Sequence, residues 1–333
     1  MQLAGMLPTA ASSCILLTIL MTPSERTPRQ NVSLFFLIWT GCFLLFTLLS
    51  QGFLMLYFGK EGYEAFISGT SFSPQDIEIV RYVQIFYSIG IFGVPPFIFI
   101  FLNKPRDWSF IKMNRLPDAR LWGLTLLLAL FSLPVVAWML EVNQAFEFPS
   151  AFQQFESYLR EMEEQNGALL KAMLNMGSNY DFIITFFMIA IVPPVVEELL
   201  FRGTMQQLFQ KQAGPHVAIF VTGAFFSFVH GDFYGFLPRM MLGVLFGYMF
   251  LWSGSLWVPI FAHLLHNGLQ VVMLFLFQRG VIGVDIEQIE SFPPYVTMGA
   301  TILLLATLSI FDYAANSKKP NDGERLDKSL HDK

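Results

Sequence analysis

The residues of this chain that could do chemistry lie beside or within apolar segments, and the first of them form a glutamate pair. Glu197, Glu198 and Arg202 follow directly on the apolar run 182–196. An ionised group near the middle of a bilayer costs roughly 2.5–3.5 kcal/mol on insertion scales, so such a group is paired, hydrated or functional. Glu198 and Arg202 are four residues apart, so on a helix they share a face and can form an ion pair.

Glu197 is the carboxylate that this spacing leaves free. It lies about 100° around the helix from Glu198, so the two glutamates cannot share one role. Pro193 and Pro194 precede them and must disturb the helix, which frees backbone carbonyls close to the carboxylates. A carboxylate in a low-dielectric cavity is suited to act as a general base on water.

Three later polar residues extend the candidate site. His230 ends an apolar run, and His263 and Asn267 are four residues apart in another, so they share a helix face. One histidine can help to hold a water molecule, while the second histidine and the asparagine amide can donate hydrogen bonds to a developing oxyanion. Together with Glu197 they predict hydrolysis of a peptide bond by an activated water. His266 lies one position off this face, and its simplest role is to form a hydrogen bond between two helices.

The sequence motifs of other hydrolase classes are absent. There is neither the HExxH motif of zinc proteases nor the GxSxG motif of serine hydrolases. The only two cysteines, Cys14 and Cys42, offer neither a disulfide framework nor a metal-binding spacing. Two histidines and a glutamate could still supply three zinc ligands, so the sequence leaves open a zinc ion held by Glu197, His230 and His263.

The composition is that of a polytopic membrane protein. Hydrophobic residues make up 54% of the chain and charged residues only 14%, against about 25% charged residues in soluble domains. Runs of about 20 apolar residues are long enough to span a bilayer. We therefore predict an all-α bundle of about eight transmembrane helices, at residues 33–57, 82–103, 121–141, 182–205, 216–233, 235–252, 256–278 and 295–314.

The distribution of basic residues predicts the orientation of this bundle. Of the 20 Lys and Arg residues, 14 lie in the N-terminal segment, in alternate connections between the spans and in the C-terminal tail. The positive-inside rule therefore places both termini in the cytoplasm. Residues 1–30 are predicted to form a cytoplasmic or interfacial extension. Residues 31–315 form one transmembrane domain with its motif-bearing core at 180–270, and residues 316–333 form a disordered tail.

Helix rise places the candidate residues at unequal depths. With these span edges, Glu197 and His263 lie about 10–12 Å from the cytoplasmic face, whereas His230 lies about 20 Å from it. Either the fifth helix begins deeper in the cytoplasm, beyond Pro215, or a span edge is misplaced.

Two further patterns predict structural roles. The acidic loop 142–180 has apolar residues at helical spacing on both sides of Asn166 and Gly167, which predicts amphipathic helices on the bilayer surface with a break between them. Gly243 and Gly247 form a small-xxx-small motif, which is typical of close helix contacts.

In order and spacing, the polar residues resemble the motifs of the CPBP family of intramembrane proteases, which includes CAAX prenyl endopeptidases and bacterial bacteriocin-processing and self-immunity proteins. The matching residues are Glu197, Glu198 and Arg202 in the first motif, Phe226 and His230 in the second, and His263 and Asn267 in the third. The resemblance implies that Glu197 activates water with the help of His230. It further implies that Glu198 and Arg202 orient the site. His263 and Asn267 would stabilise the oxyanion. Both metal-dependent and metal-free mechanisms have been described for the family, so the resemblance leaves zinc open.

The sequence thus predicts an intramembrane endopeptidase of the bacterial inner membrane. Its expected partners are the lipid bilayer and a membrane-associated protein or peptide substrate, and no nucleic acid. One alternative is a catalytically inactive member of the same family that acts as an immunity factor or membrane chaperone, although retention of six costly polar groups argues against it. Another is a proton-coupled transporter, which would require a polar path across the whole bilayer.

Overall fold

The computed structural model describes residues 26–67, 73–103, 106–283 and 292–317, and within them the chain is helical and has no strand. The predicted all-α membrane bundle is confirmed. The extension before Arg26 and the tail from Lys318 lie outside the described residues. The helices in the described ranges are α1 Pro28–Ile67, α2 Pro74–Leu102, α3 Ala119–Gln144, α4 Gln153–Met173, α5 Asn179–Ala213, α6 Pro215–Phe228, α7 Phe236–Ser253, α8 Trp257–Gln278 and α9 Pro294–Asn316.

The fifth predicted span is shorter in the structure than the sequence indicates. Within the described residues, seven helices are long and apolar enough to cross a membrane. The predicted fifth span, 216–233, is instead the 14-residue helix α6, about 21 Å long against about 30 Å for a hydrocarbon core. It ends at Phe228 because the chain turns back there through Gly231, whose φ is +68°.

Helix α4 also differs from the prediction, because Asn166 and Gly167 do not break it. Residues Gln153–Met173 form one continuous helix of 21 residues on the side of the bundle that carries the α3–α4 connection. A glycine costs a helix only about 1 kcal/mol relative to alanine. The ion pair between Arg160 and Glu156, with a nitrogen–oxygen distance of 2.8 Å, stabilises the helix and offsets part of this cost.

Helix α5, which carries the glutamate pair, is a single helix of 35 residues. Two wide turns of π type, Phe187–Ile191 and Phe201–Gln206, interrupt its α-helical hydrogen bonding on either side of the glutamates. The helix ends at Gly214, whose φ of +80° favours glycine. Helix α6 begins at the next residue.

The length of α5 removes the predicted difference in depth between Glu197 and His230. Its predicted edge at residue 205 is wrong, because the helix continues to Ala213. Glu197 therefore lies about 24 Å from the α5–α6 junction, and His230 lies about 22 Å from it along α6. The two side chains reach the same level of the bundle.

A buried arginine fixes the end of the bundle at which α2 begins. The Arg81 side chain is 2% exposed. It donates hydrogen bonds to the main-chain oxygens of Met173 and Asn175, and it forms an ion pair with Asp181 at 2.8 Å. These contacts hold α2 against the start of α5.

The basic connection after α2 packs at the opposite end. The main-chain oxygen of Lys112 accepts a hydrogen bond from the Leu256 N–H, and the Trp257 indole donates to the main-chain oxygen of Met113 at 2.8 Å. The basic connection thus lies beside the α7–α8 turn.

The orientation itself remains a prediction. We expect single cysteines introduced at Ser329 and Ser157 to react from opposite sides of the membrane, because the sorting of Lys and Arg places the tail inside and α4 outside. Labelling of intact cells with a membrane-impermeant maleimide checks this. Labelling of both positions from the outside would contradict the predicted orientation.

Candidate active site

The predicted ion pair between Glu198 and Arg202 is present at the centre of the bundle. Both side chains are fully buried, and Arg202 Nη1 donates to Glu198 Oε1 at 2.8 Å. Arg202 Nη2 donates to the main-chain oxygen of Gly243 at 2.8 Å. The guanidinium also lies over the Phe226 ring, 4.8 Å from its centroid. Arg202 therefore links α5 to α6 and α7.

His263 on α8 lies between the two glutamates. Its Nδ1 is 3.0 Å from Glu198 Oε1, and its Nε2 is 4.0 Å from Glu197 Oε2. The imidazole stacks on the Phe246 ring with the centroids 5.2 Å apart. Because a carboxylate oxygen only accepts, Nδ1 carries the hydrogen of the Glu198 contact. The other ring nitrogen is therefore directed at Glu197.

Glu197 and His230 line one cavity of about 580 Å³ between α1, α2, α5 and the end of α6. His230 lies in the turn after α6, and its Nδ1 is 2.7 Å from the main-chain oxygen of Phe226. Nδ1 must donate to this carbonyl, so Nε2 is left as an acceptor in the neutral ring. A carboxylate and a neutral imidazole facing one space are suited to hold a water molecule.

Asn267 does not line the cavity that contains Glu197 and His230, whereas the sequence predicts that it donates to the oxyanion. Its side chain lines a separate cavity of about 310 Å³, and its Nδ2 donates to the main-chain oxygen of Ile189 at 3.0 Å. Pro193 and Pro194 occupy the positions whose N–H groups would otherwise reach this oxygen. Asn267 therefore satisfies a carbonyl that the two prolines leave without a helical donor.

His266 does not form the predicted helix–helix hydrogen bond with any residue in the described part of the chain. The side chain is 7% exposed, and its Nδ1 is buried without a partner. It lies one helical position away from the site and has no chemical role in the assignments below.

Gln206 is a site residue that sequence reasoning missed. Its Nε2 donates to the main-chain oxygen of Gly247 at 3.0 Å, just as Arg202 donates to that of Gly243. The two donors are four residues apart on α5, and the two glycines are four apart on α7. The small-xxx-small motif thus exposes the backbone of α7 to side chains of the site, in addition to packing against α6.

Gly243→Ala is expected to destabilise the protein by about 1–3 kcal/mol, the usual cost of overpacking. A methyl group there would lie 2.8 Å from the Cα atom of Gly223, and this backbone atom cannot move aside cheaply. Thermal unfolding in detergent measures the effect. Gly299→Ala is the matched control, because no other described side chain or neighbouring helix lies within 4 Å of the added methyl group. Equal unfolding temperatures for the two variants would contradict the packing.

The turn that carries His230 is held from α3. Asn143 is 5% exposed. Its Nδ2 donates to the main-chain oxygen of Phe233 at 3.0 Å, and its Oδ1 accepts from the Leu237 N–H at 2.8 Å. One amide thus fixes both sides of the turn, as far as the start of α7.

Helix α4 contacts the same turn. The Tyr234 hydroxyl donates to Glu156 Oε1 at 3.5 Å, and the Arg160 guanidinium lies 4.4 Å from the centroid of the Tyr234 ring. The hydrogen bond from Arg160 lowers the pKa of the Glu156 carboxyl, so this acceptor stays ionised at neutral pH. Helix α4 therefore supports the His230 turn as well as covering the bundle.

The three candidate zinc ligands do not converge. In the part of the chain that the structure describes, no group of three His, Cys, Asp or Glu side chains could hold a metal ion. Glu197, His230 and His263 therefore do not fit a zinc site in this arrangement.

The similarity of this chain to known proteins lies in the region that contains the candidate site. Residues 179–269 match the family described as type II CAAX prenyl endopeptidase Rce1-like. The chain is 31% identical over 84 residues to a putative membrane peptidase, YdiL, of Bacillus subtilis. It is 33% identical over 100 residues to a membrane-embedded CAAX protease, MroQ, of Staphylococcus aureus.

The similarity covers only part of each protein. The match to the Bacillus protein spans 25% of this chain and 34% of the relative, and the match to the Staphylococcus protein spans 28% and 40%. No solved structure matches significantly. The similarity thus applies to the region of α5 to α8, where the three motifs lie.

Proposed function

We propose that this chain is a CPBP-type intramembrane protease, as the similarity of residues 179–269 to this family supports, and that it is an endopeptidase that hydrolyses a peptide bond of a membrane-associated protein or peptide. One observation carries the proposal. Glu197 and His230 line a single cavity, while the Glu198–Arg202 pair holds His263 beside Glu197. We further propose the inner membrane of a bacterium as its location.

In the proposed reaction a water molecule lies between Glu197 and His230 Nε2. Glu197 takes one proton from the water, and the water oxygen attacks the carbonyl carbon of the substrate. The carbonyl oxygen becomes an oxyanion in a tetrahedral intermediate. Glu197 then passes the proton to the amide nitrogen, the C–N bond breaks, and a carboxylic acid and an amine leave.

His263 is the proposed oxyanion donor. Because Nδ1–H donates to Glu198, we assign a second hydrogen to Nε2, and this Nε2–H donates to the oxyanion. Arg202 holds Glu198 in place for this role. The contact between Asn267 and Ile189 supports a positioning role for Asn267, which maintains the wide turn of α5 just before Glu197.

We propose a mechanism without a metal ion. The failure of Glu197, His230 and His263 to converge supports it, and so does the general-base chemistry available to Glu197. We expect 1,10-phenanthroline and EDTA to leave the activity unchanged and elemental analysis to find no stoichiometric zinc in the purified protein. Loss of activity on chelation, restored by added zinc, would contradict the metal-free mechanism and leave the proposed protease activity standing.

Substrate trapping in native membranes tests the proposed function. Glu197→Gln keeps the shape of the site but cannot accept the proton, so uncleaved substrates should remain bound to this variant. Affinity capture and mass spectrometry of peptide termini compare it with the native protein. Glu164→Gln on α4 is the control, because Glu164 is exposed and lies outside the cavity. We expect full-length membrane proteins enriched on Glu197→Gln alone, with new termini only where Glu197 is intact. Identical termini in all three strains would contradict the function.

A further inference from the structure

Helix α2 repeats the proline feature of α5. A wide turn, Ile89–Gly93, precedes Pro95 and Pro96, just as Phe187–Ile191 precedes the proline pair of α5. In a helix, an N–H four or five residues ahead reaches each carbonyl. The two prolines of α2 therefore leave the carbonyl of Ile91 without either donor.

The two helices differ in which group donates a hydrogen bond to the freed carbonyl. In α5 the Asn267 amide donates to Ile189. In α2 the nearest remaining N–H, that of Val94, donates to Ile89 instead. No side chain in the described ranges donates to the Ile91 carbonyl. Ile91 lines the 580 Å³ cavity that also contains Glu197.

Gln84 lies on the same face of α2. Residues 84, 87, 88 and 91 recur at helical spacing, and all four line the cavity. Gln84 is exposed, lies about 15 Å along an apolar helix, and makes no hydrogen bond to any described residue. Within a membrane, an amide without a protein partner is costly unless it faces a cavity, where it can bind water or a polar ligand.

Next to Gln84 on this face, the Tyr87 hydroxyl accepts a long hydrogen bond from Thr47, at 3.5 Å. Its own proton is left to donate elsewhere. The residues on this face therefore carry a freed carbonyl acceptor at Ile91, a donor at Tyr87 and both a donor and an acceptor at Gln84. An aliphatic chain can use none of these groups, whereas a peptide main chain can use all of them.

We propose that this face of α2 binds the main chain of the substrate in an extended conformation beside the bond that is cleaved. The Ile91 carbonyl accepts a substrate N–H, and the Gln84 carboxamide pairs with a neighbouring peptide group. A helical substrate has no free N–H in its interior, so a transmembrane substrate must unwind here before cleavage. The inference rests on the proposed protease activity and adds the residues that select an extended peptide.

Two substitutions remove these contacts without threatening the fold. Pro95→Ala supplies an N–H to the Ile91 carbonyl and removes a residue that is unfavourable inside helices. Gln84→Met keeps the length of the side chain and suits lipid better. The matched controls are Pro134→Ala within α3 and Gln270→Met on α8, which lie outside the cavity.

The probe is a quenched-fluorescence peptide of about 20 residues, which is long enough to span a bilayer. It is selected from a library of peptides that share an apolar segment and differ in their polar tails, as the member that the native protein cleaves fastest. Each variant is assayed in liposomes, beside Glu197→Gln.

The loss of a contact that is equally strong in the bound substrate and in the transition state changes KM alone. We expect KM to rise about tenfold in Pro95→Ala and in Gln84→Met, as expected for the loss of one or two hydrogen bonds. The kcat and the unfolding temperature should not fall, and the controls should match the native protein.

N-methylation of the peptide separates main-chain binding from indirect effects. One methylated position should raise KM about tenfold in the native protein and should add nothing in Pro95→Ala. Unchanged KM in both variants, or full additivity of N-methylation with Pro95→Ala, would overturn the inference while the protease activity stands. Cleavage by Glu197→Gln at the native rate would instead overturn the proposed function.

Discussion

Glu197→Gln is expected to lower kcat by about 10²–10⁴-fold, the usual contribution of a general base. Glutamine keeps the size and hydrogen bonding of the side chain, but it cannot take a proton from water. The binding of substrate should persist, because the walls of the cavity are unchanged. Turnover of the quenched peptide and its binding at equilibrium, measured on the same liposomes, separate the two effects.

The control for this comparison is Glu164→Gln, which makes the same chemical change on the exposed face of α4. We expect native kcat and KM for it. A Glu197→Gln variant that binds and cleaves like the native protein would remove the basis for general-base catalysis at this residue. A variant that neither binds nor folds would contradict the view that Glu197 is free of structural partners.

Glu198→Ala and Arg202→Ala are expected each to destabilise the protein by about 3–5 kcal/mol, because each leaves a buried charge without its partner. Glu198 Oε1 contacts both Arg202 and His263, so its loss also releases the histidine. The unfolding temperature in detergent and the fraction that elutes as a single species measure the effect. Glu197→Gln serves as the folded comparison.

A double variant shows whether the loss comes from the unpaired charge. Replacement of a buried ion pair by apolar residues of similar size is often neutral or stabilising. We therefore expect Glu198→Met combined with Arg202→Met to be more stable than either alanine variant, yet inactive. Native stability in both alanine variants would contradict the buried pair.

The local part of the site could be predicted from the sequence, because it depends on helix geometry alone. Glu198 and Arg202 are four residues apart on one helix, and their pairing follows from that spacing. The spans followed from hydropathy in the same way. The prediction differs from the structure at the fifth span, where the apolar helix α6 is shorter than a hydrocarbon core is thick.

The non-local part could not be predicted in the same way. The two prolines of α5 indicate that the carbonyl of Ile189 is free, but which side chain fills it depends on how α8 packs against α5. The same is true of Gln206, whose partner is a main-chain oxygen on α7. Asn267 was expected at the oxyanion because it shares a helix face with His263, and spacing on one helix does not say which neighbouring helix each side chain meets.

The edge of α5 shows a third kind of error. The sequence becomes polar from Gln206 onward, so the predicted span ends at residue 205. The helix instead continues to Ala213, and the Gln206 side chain is buried and donates to the main-chain oxygen of Gly247. A polar residue does not end a helix when it has a partner inside the bundle, and this partner lies on another helix, where the sequence does not reveal it.

Cleavage of the quenched peptide in H₂¹⁸O by the purified protein in liposomes tests the central claim most directly. The proposed reaction transfers one water oxygen to the new carboxyl terminus. We predict that mass spectrometry finds two fragments, with one ¹⁸O atom in the new carboxyl group, for the native protein and for Glu164→Gln. For Glu197→Gln we predict almost no fragments. Fragments formed at equal rates by the native protein and by Glu197→Gln would contradict the account.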